Sequence, residues 1–484
     1  MSELAEIKKP VLAIAGATGF VGRALASILA ERFSLVGISR TMQTGTEGPI
    51  SEWRCADLFD QSATVAALRG VDFAVYLVHS MMPSARLTQA RFEDLDLLCA
   101  DNFGRAAAAA GVRQMIYLGG LVPESAAKLS AHLASREEVE RALTRYGVPV
   151  TVLRAGLVIG GGGSSFDMLL RLVRRLPILI CPAWTANLMQ PIAASDVVQL
   201  LAYSVGREEC FGQVYDVATE ERLSYRELMA VVASELGLRR RMVPVRFFSP
   251  GFSTLWVSLI TQTPRELVGP LVQSLKHEMT ARDHRLAKLA GLRLMSVREA
   301  LRLALGESAP APALSIRPPA SALVVSIVPP RPARSLVRSV QRMQLPLGCD
   351  AAWASAEYMR WLPRALHGLF GVAVGSDGVC LFGVSFLRTP LLALAPRTGS
   401  NTADQAVFDV ESGLLVAPMQ RGRFELRQVL DERTLITAIH DFAPRLPWLL
   451  YRCTQAVFHG WVMAAFARHL RRSPATSAPA SGHN

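Results

Sequence analysis

A doubly wound, parallel α/β sheet is predicted for the first 160 residues, and three observations predict it. Short apolar runs recur: VLAIAG (11–16), SLVGIS (34–39), DFAVYLVHS (72–80), MIYLGG (115–120) and VTVLRAGLVIG (150–160). They are β-rich and almost continuously apolar, as strands covered on both faces of a parallel sheet must be. Helix-length segments separate them, for example 21–32, 89–110 and 134–146. The first run ends in Gly16-Ala17-Thr18-Gly19-Phe20-Val21-Gly22, a glycine turn that opens into a helix.

The rest of the chain follows in order. From 161 to 305 the pattern becomes more helical and predicts a region over the carboxyl ends of the strands, where such sheets bind ligands. Ser224 is placed to cap a helix over 225–236, and 283–289 and 296–305 read as two more helices. Residues 306–334 hold seven prolines. Proline blocks helix interiors and ladder bonds, so an extended linker is expected, with a short strand at 323–328. After it the pattern turns to α+β over 335–472: a strand at 336–343, helix over 351–369, short strands broken at 375–378, 399–401 and 418–422, and one long helix over 448–470. The last residues, 473–484, read as a disordered tail.

At 484 residues the chain is long enough for two to three domains. With 50% hydrophobic and 19% charged residues, wholesale disorder is excluded. The net charge of +12 suggests attraction to phosphates, anionic lipid or nucleic acid without choosing between them. The basic runs Arg239, Arg240, Arg241, Arg246 and Arg331, Arg334, Arg338, Arg342 lack interleaved aromatic residues, so no nucleic-acid partner is expected. Seven cysteines lie far apart with no C-x-x-C spacing, which argues against a disulfide framework or a metal site and fits a reducing compartment. MSELAEIKKP has no secretory character, and no run of about 18 uncharged apolar residues occurs. A cytoplasmic protein is the expectation. A mean hydropathy of +0.26 and the aromatic stretch at 247–259 keep peripheral contact with the inner membrane surface open.

The glycine turn carries the chemistry. Its glycines permit a tight turn and close approach of backbone amides to a pyrophosphate, which the helix N-terminus also favours. The G-x-x-G-x-x-G spacing resembles the atypical or extended short-chain dehydrogenases/reductases over about residues 10–305. Asp57-Leu58 resembles the pair that contacts adenine, and Asn102-Phe103-Gly104 resembles the asparagine motif of the fourth helix. Arg154 to Gly160 resembles an Arg-Pro-x-x-Val-Tyr-Gly stretch, with Ala155 and Ile159 in place of Pro and Tyr. Gln190–Val197 and Tyr225–Leu228 resemble later segments. The resemblance implies an NAD(P) cofactor held by Gly16, Thr18, Gly19, Phe20, Val21, Gly22, Arg40, Asp57, Leu58, His79 and Asn102. Ser39-Arg40-Thr41 stands where an acid would select NAD. An arginine there suits a 2′-phosphate, so NADP is expected and NAD stays open; Arg40 also reads as a solvated strand-end charge.

The family's Tyr-x-x-x-Lys pair is missing. His132 and Arg136 occupy the corresponding i, i+4 positions. Three readings stay open: His132 donates the proton and Arg136 holds the ribose; the site binds a dinucleotide without alcohol chemistry, as in NmrA-like sensors; or both are structural, on a helix capped by Ser130. His79, in YLVHSM, resembles a residue of a bacterial epimerase-like subgroup that also carries YLGGL and HLxSR, and it reads equally as core. Gly160–Gly163 reads as a loop beside the nicotinamide or as a plain turn. The C-terminal order of strand, helix pair, about six strands and long helix resembles the START-like helix-grip fold, which implies a hydrophobic ligand. The function expected is an NADP-dependent oxidoreductase on a hydrophobic carbonyl or alcohol, or a non-catalytic dinucleotide sensor or lipid-binding protein. Oligomeric state is not legible.

Overall fold

The computed structural model describes residues 9–43, 48–79, 87–123, 129–245, 250–307, 323–326, 336–368, 370–384, 387, 389–417, 422–431 and 433–474. The chain divides into two compact units. One is Met1–Met81 with Cys99–Pro330, and the other is Met82–Leu98 with Arg331–Asn484. The expected first body, unbroken over 1–305, therefore gives up residues 82–98.

The first unit is built on β1 (Val11–Ala15), β2 (Ser34–Ser39), β3 (Glu52–Cys55), β4 (Phe73–Tyr76), β5 (Gln114–Gly120), β6 (Val150–Ala155) and β7 (Val214–Val217). They lie in the order β7-β6-β5-β4-β1-β2-β3, every pair parallel. This is the predicted doubly wound sheet. Leu12, Ala13, Ile14 and Ala15 are all fully buried, which is why β1 reads as an unbroken apolar run rather than an alternating one. Helix α1 (Phe20–Leu29) packs Leu25 and Leu29 into the same core as Leu12, Ile14, Val197 and Leu201. Further helices are α2 (Gln61–Ala67), α3 (Phe92–Ala110) and α4 (Ala131–Thr144). Only the part of α3 from Cys99 onward belongs to this unit. Strand order reverses between β1 and β4, and this switch point opens the ligand crevice of such sheets.

The later helices follow their local signals. Ser224 accepts from the Glu227 amide while Glu227 reaches back to the Ser224 amide, a complete capping box for Tyr225–Glu235. The helix expected from 283 begins at Arg285, because the Asp283 carboxylate accepts the Arg285 amide and holds a turn. Within the aromatic stretch, 246–249 lie outside the described residues. Pro250–Thr261 is a helix whose Val257 packs with Val268 and Val272 of Arg265–Ser274. In the basic run, Arg240 donates to the carbonyls of Val173 and Arg174, so it ties down the end of helix Ser164–Arg175. Arg246, Arg331 and Arg334 lie outside the described residues. The expected linker is not wholly a linker: β8 (Leu323–Ser326) pairs in parallel with β3 and extends the sheet.

The second unit holds β9 (Val337–Gln344), β10 (Phe370–Val374), β11 (Cys380–Val384), β12 (Leu392–Pro396), β13 (Gln405–Ser412), β14 (Arg423–Val429) and β15 (Thr434–Phe442). Their order is β10-β11-β12-β13-β14-β15-β9, all antiparallel, and the three-residue strand Leu87–Gln89 lies parallel to β9 at the edge. Arg338 and Arg342 pair with Asp441 and Asp94 within this unit, so neither is a free basic patch. Two expectations are corrected. The helix pair is a single helix, Ala351–Ala365, capped by Asp350, with Pro363 in its last turn. The long closing helix is two, Trp448–Cys453 and Gln455–Arg472, because Thr454 leaves helical geometry at φ −120° and ψ −79°. Tyr358, Leu362, Phe466 and Leu470 of these helices share one apolar core with Leu394, Phe424 and Leu435 of the sheet.

All seven cysteines are free thiols, and only Cys453 is exposed. Among the described residues no helix is long and apolar enough to cross a membrane.

Candidate functional site

Each glycine of the turn after β1 has its own steric reason. Gly16 has φ +90°, and a Cβ there would lie 3.1 Å from the Leu77 carbonyl oxygen, so the turn presses against the end of β4. The Gly19 amide donates to the Gly16 carbonyl at 2.9 Å and closes the turn. At Gly22 a Cβ would lie 2.3 Å from that same carbonyl oxygen. Helix α1 starts here without a side-chain cap and without an acidic residue in its first turn. Its leading amides are thus left to an external acceptor, in the geometry that suits a pyrophosphate. Thr18 is exposed and Phe20 and Val21 are half-buried.

Phe20 explains the four-glycine run. A Cβ on Gly160 would meet the Phe20 ring and the Ala194 methyl, each at 2.6 Å, and Gly162 takes φ +94° beside the same ring. The run is packed under the turn after β1. Glycine is needed there for close approach.

Arg40 follows the last residue of β2 and is exposed, and its carbonyl accepts from the Cys55 thiol. After β3, Asp57 accepts the Phe59 amide at 3.1 Å, and the Leu58 carbonyl accepts from Asn102 Nδ2 at 2.8 Å. Asn102 is fully buried. It holds the Asp57-Leu58 loop from behind. His79, just past β4, is exposed, so the core reading of it is overturned.

Ser130 caps α4 by accepting the Leu133 amide at 3.3 Å, and its hydroxyl lies 3.0 Å from that of Ser274 on the covering helix Arg265–Ser274. His132, in the first turn, has its Nδ1 sealed from solvent with no hydrogen-bond partner. Burial, the Arg136 guanidinium and His79 push its pKa down to about 3, so the imidazole is neutral at pH 7. The tertiary structure thus brings His132, Arg136 and His79 into one electrostatic neighbourhood. Arg136 is buried, and its carbonyl accepts from the Tyr117 hydroxyl, so it is no surface arginine. Farther along, Arg154 is held by Glu140 at 2.8 Å. Sequence reasoning passed over Arg23. It is exposed in the first turn of α1 and its guanidinium donates to the Thr18 carbonyl. Its signal was a cation directly after the third glycine.

A family described as NAD(P)H-binding matches residues 16–167. That span contains every residue singled out for the cofactor and for catalysis. The auxiliary protein GraX of Staphylococcus aureus is 34% identical over 143 residues, which is 29% of this chain and 43% of GraX. The match thus spans less than half of that relative. Among solved structures, an NADPH-dependent quinone oxidoreductase of Escherichia coli in complex with NADPH aligns over 60% of this chain and 98% of its own, at 20% identity and a TM-score of 0.48. The triphenylmethane reductase of Citrobacter sp. with NADP(H) aligns over 60% and 99%, at 16% identity and a TM-score of 0.49. Residues 16–167 of this chain match the NAD(P)H-binding family, and they lie in a doubly wound parallel sheet of the Rossmann type.

Proposed function

We propose that the chain is an NADP-dependent oxidoreductase acting on a hydrophobic carbonyl or alcohol. One arrangement carries the reading: the glycine turn opens an uncapped helix at the switch point, and Arg40 ends the neighbouring strand with an exposed guanidinium. The amides of Phe20 and Val21 take the pyrophosphate, and the Asp57-Leu58 loop, held by Asn102, lines the adenine. Arg40 pairs with the 2′-phosphate through its planar fork of donors. The dinucleotide supplies or accepts the hydride.

The substrate oxygen is the business of His132, Arg136 and His79. A histidine with a pKa near 3 carries no proton to give at pH 7. It acts as a neutral hydrogen-bond donor that polarises a carbonyl, Arg136 offsets the negative charge that grows on the oxygen, and solvent water supplies the proton that completes the alcohol. A hydrophobic substrate fits a histidine that is already desolvated.

Calorimetric titration with NADPH and NADH, with Arg40→Ala alongside, tests the cofactor half. NADPH oxidation with hydrophobic aldehydes and ketones, with His132→Ala alongside, tests the chemistry. Failure of both cofactors to bind removes the proposal. The absence of a tyrosine and the neutral state of His132 favour one second reading, a dinucleotide sensor without turnover. Tight NADPH binding with no turnover on any carbonyl would select it.

A further inference from the structure

The helical region of the first unit carries a surface where exposed leucines meet a cluster of arginines. From Phe247 to Pro264 no residue is charged. Helix Pro250–Thr261 buries Val257 and Thr261, four residues apart on one face. Leu255 and Leu259 lie on the opposite face, 42% and 72% exposed. Ile178 opens the strand Ile178–Pro182 and is 51% exposed. It lies beside Arg241 in the parallel pairing with Arg241–Val245. Six arginines gather where this helix and Ser164–Arg175 end. Arg171 and Arg175 donate to the carbonyls of Thr261 and Ile260. Arg240 donates to those of Val173 and Arg174 at 2.7 and 2.9 Å. These three satisfy the last carbonyls of two helices, a structural task.

The other three arginines have no such task. Arg174, Arg239 and Arg241 are exposed, and among the described residues none of them joins an ion pair. No acidic residue occurs from 236 to 265 to balance them. Like charges gathered this way repel, and an anionic partner removes that cost. A second copy of the chain is a poor partner, because a two-fold interface would set these arginines against their own images. A nucleic acid would meet the arginines and leave the leucines unused. An anionic lipid surface suits both. Leucine side chains enter the boundary between headgroups and acyl chains, and arginine heads stay at the phosphates. Twelve residues make a helix about 18 Å long, which lies along such a surface and does not cross it.

We propose that this face of the first unit docks on an anionic lipid surface, with Leu255, Leu259 and Ile178 in the headgroup boundary and Arg174, Arg239 and Arg241 on the lipid phosphates. Docking needs no dinucleotide and does not depend on the oxidoreductase reading.

Flotation of the full chain with vesicles tests this. The probe is phosphatidylcholine with about 30% phosphatidylglycerol, set against phosphatidylcholine alone. The chain should bind the anionic vesicles at least tenfold more tightly. Salt at about 1 M, where screening shortens to about 3 Å, should release most of it. Arg174→Gln, Arg239→Gln and Arg241→Gln together should remove the preference for anionic lipid. Leu255→Asn with Leu259→Asn should weaken binding about tenfold while the preference stays. All five side chains are exposed, so both variants should melt as the natural chain does; if the leucine pair fails to fold, the arginine triple decides. Leu449→Asn, at a residue of the second unit that is 74% exposed, is the control and should bind unchanged. The proposal is overturned if the chain does not float with anionic vesicles, or floats equally with both kinds. It is also overturned if the arginine triple binds as the natural chain does, or if Leu449→Asn weakens binding as much as the leucine pair. A dimer in solution that the leucine pair splits, with no vesicle binding, would give this face to a second copy and likewise overturn it.

Discussion

Gly22→Ala strikes the tightest point of the nucleotide turn. The added methyl would lie 2.3 Å from the Gly16 carbonyl oxygen, 2.9 Å from Ala17 Cα and 3.0 Å from the Gly16 carbonyl carbon. Ordinary contact begins at 3.4 Å, so the turn must open by about 1.1 Å. All three atoms are backbone, and no rotamer change relieves them. Overpacking of this kind costs roughly 1–3 kcal/mol. The opening also moves the amides of Phe20 and Val21 away from their pyrophosphate positions. Since each 1.4 kcal/mol is a factor of ten, NADPH affinity should fall roughly ten- to a hundredfold. Calorimetry and thermal melting with and without NADPH measure both effects. Gly306→Ala is the control: it is exposed near the end of Val297–Glu307, and nothing lies within 4 Å of its added methyl. If Gly22→Ala binds and melts like the natural chain while Gly306→Ala behaves as expected, the steric argument is wrong.

Three further outcomes follow. Arg40→Ala should weaken NADPH about tenfold or more and leave NADH within twofold, read from the ratio of their Kd values; equal losses would show that Arg40 does not recognise the phosphate. Ser224→Ala removes half of the capping box, and chemical denaturation should show a loss of about 1 kcal/mol. His132 and His459 have folded pKa values near 3 and 4, below the ordinary 6.5. The unfolded chain therefore takes up protons first, so their stabilisation is full above about pH 6.5 and is lost as pH falls toward 4 and 3. Each should contribute a slope of about 1 kcal/mol per pH unit, which His132→Gln and His459→Gln should flatten. An unchanged slope between pH 6.5 and 5 would mean that neither imidazole is desolvated.

The sequence was most informative where the signal is local. Runs such as 11–16 and 34–39 became strands because burial on both faces leaves no polar position to alternate. Ser224 and Ser130 announced their helices because a cap is a contact within four residues. The short β3 and β7 were absent from the list of apolar runs, since EWRC and VYDV are too short and too polar to stand out. The break at Thr454 was hidden because the residues on both sides are good helix formers.

By itself the sequence determined the parallel sheet and the glycine turn, both of which rest on spacing and backbone conformation within a few residues. Only the tertiary structure decided the rest. Leu87–Gln89 left the first body to pair with β9, and Leu323–Ser326 left the linker to pair with β3, because ladder bonds form between whichever strands the fold brings side by side. The Asn102 amide met the Leu58 carbonyl, 44 residues away in the chain. His132 and His459 became neutral when packing removed their water. Desolvation depends on everything that surrounds a side chain, and no local pattern of residues records it.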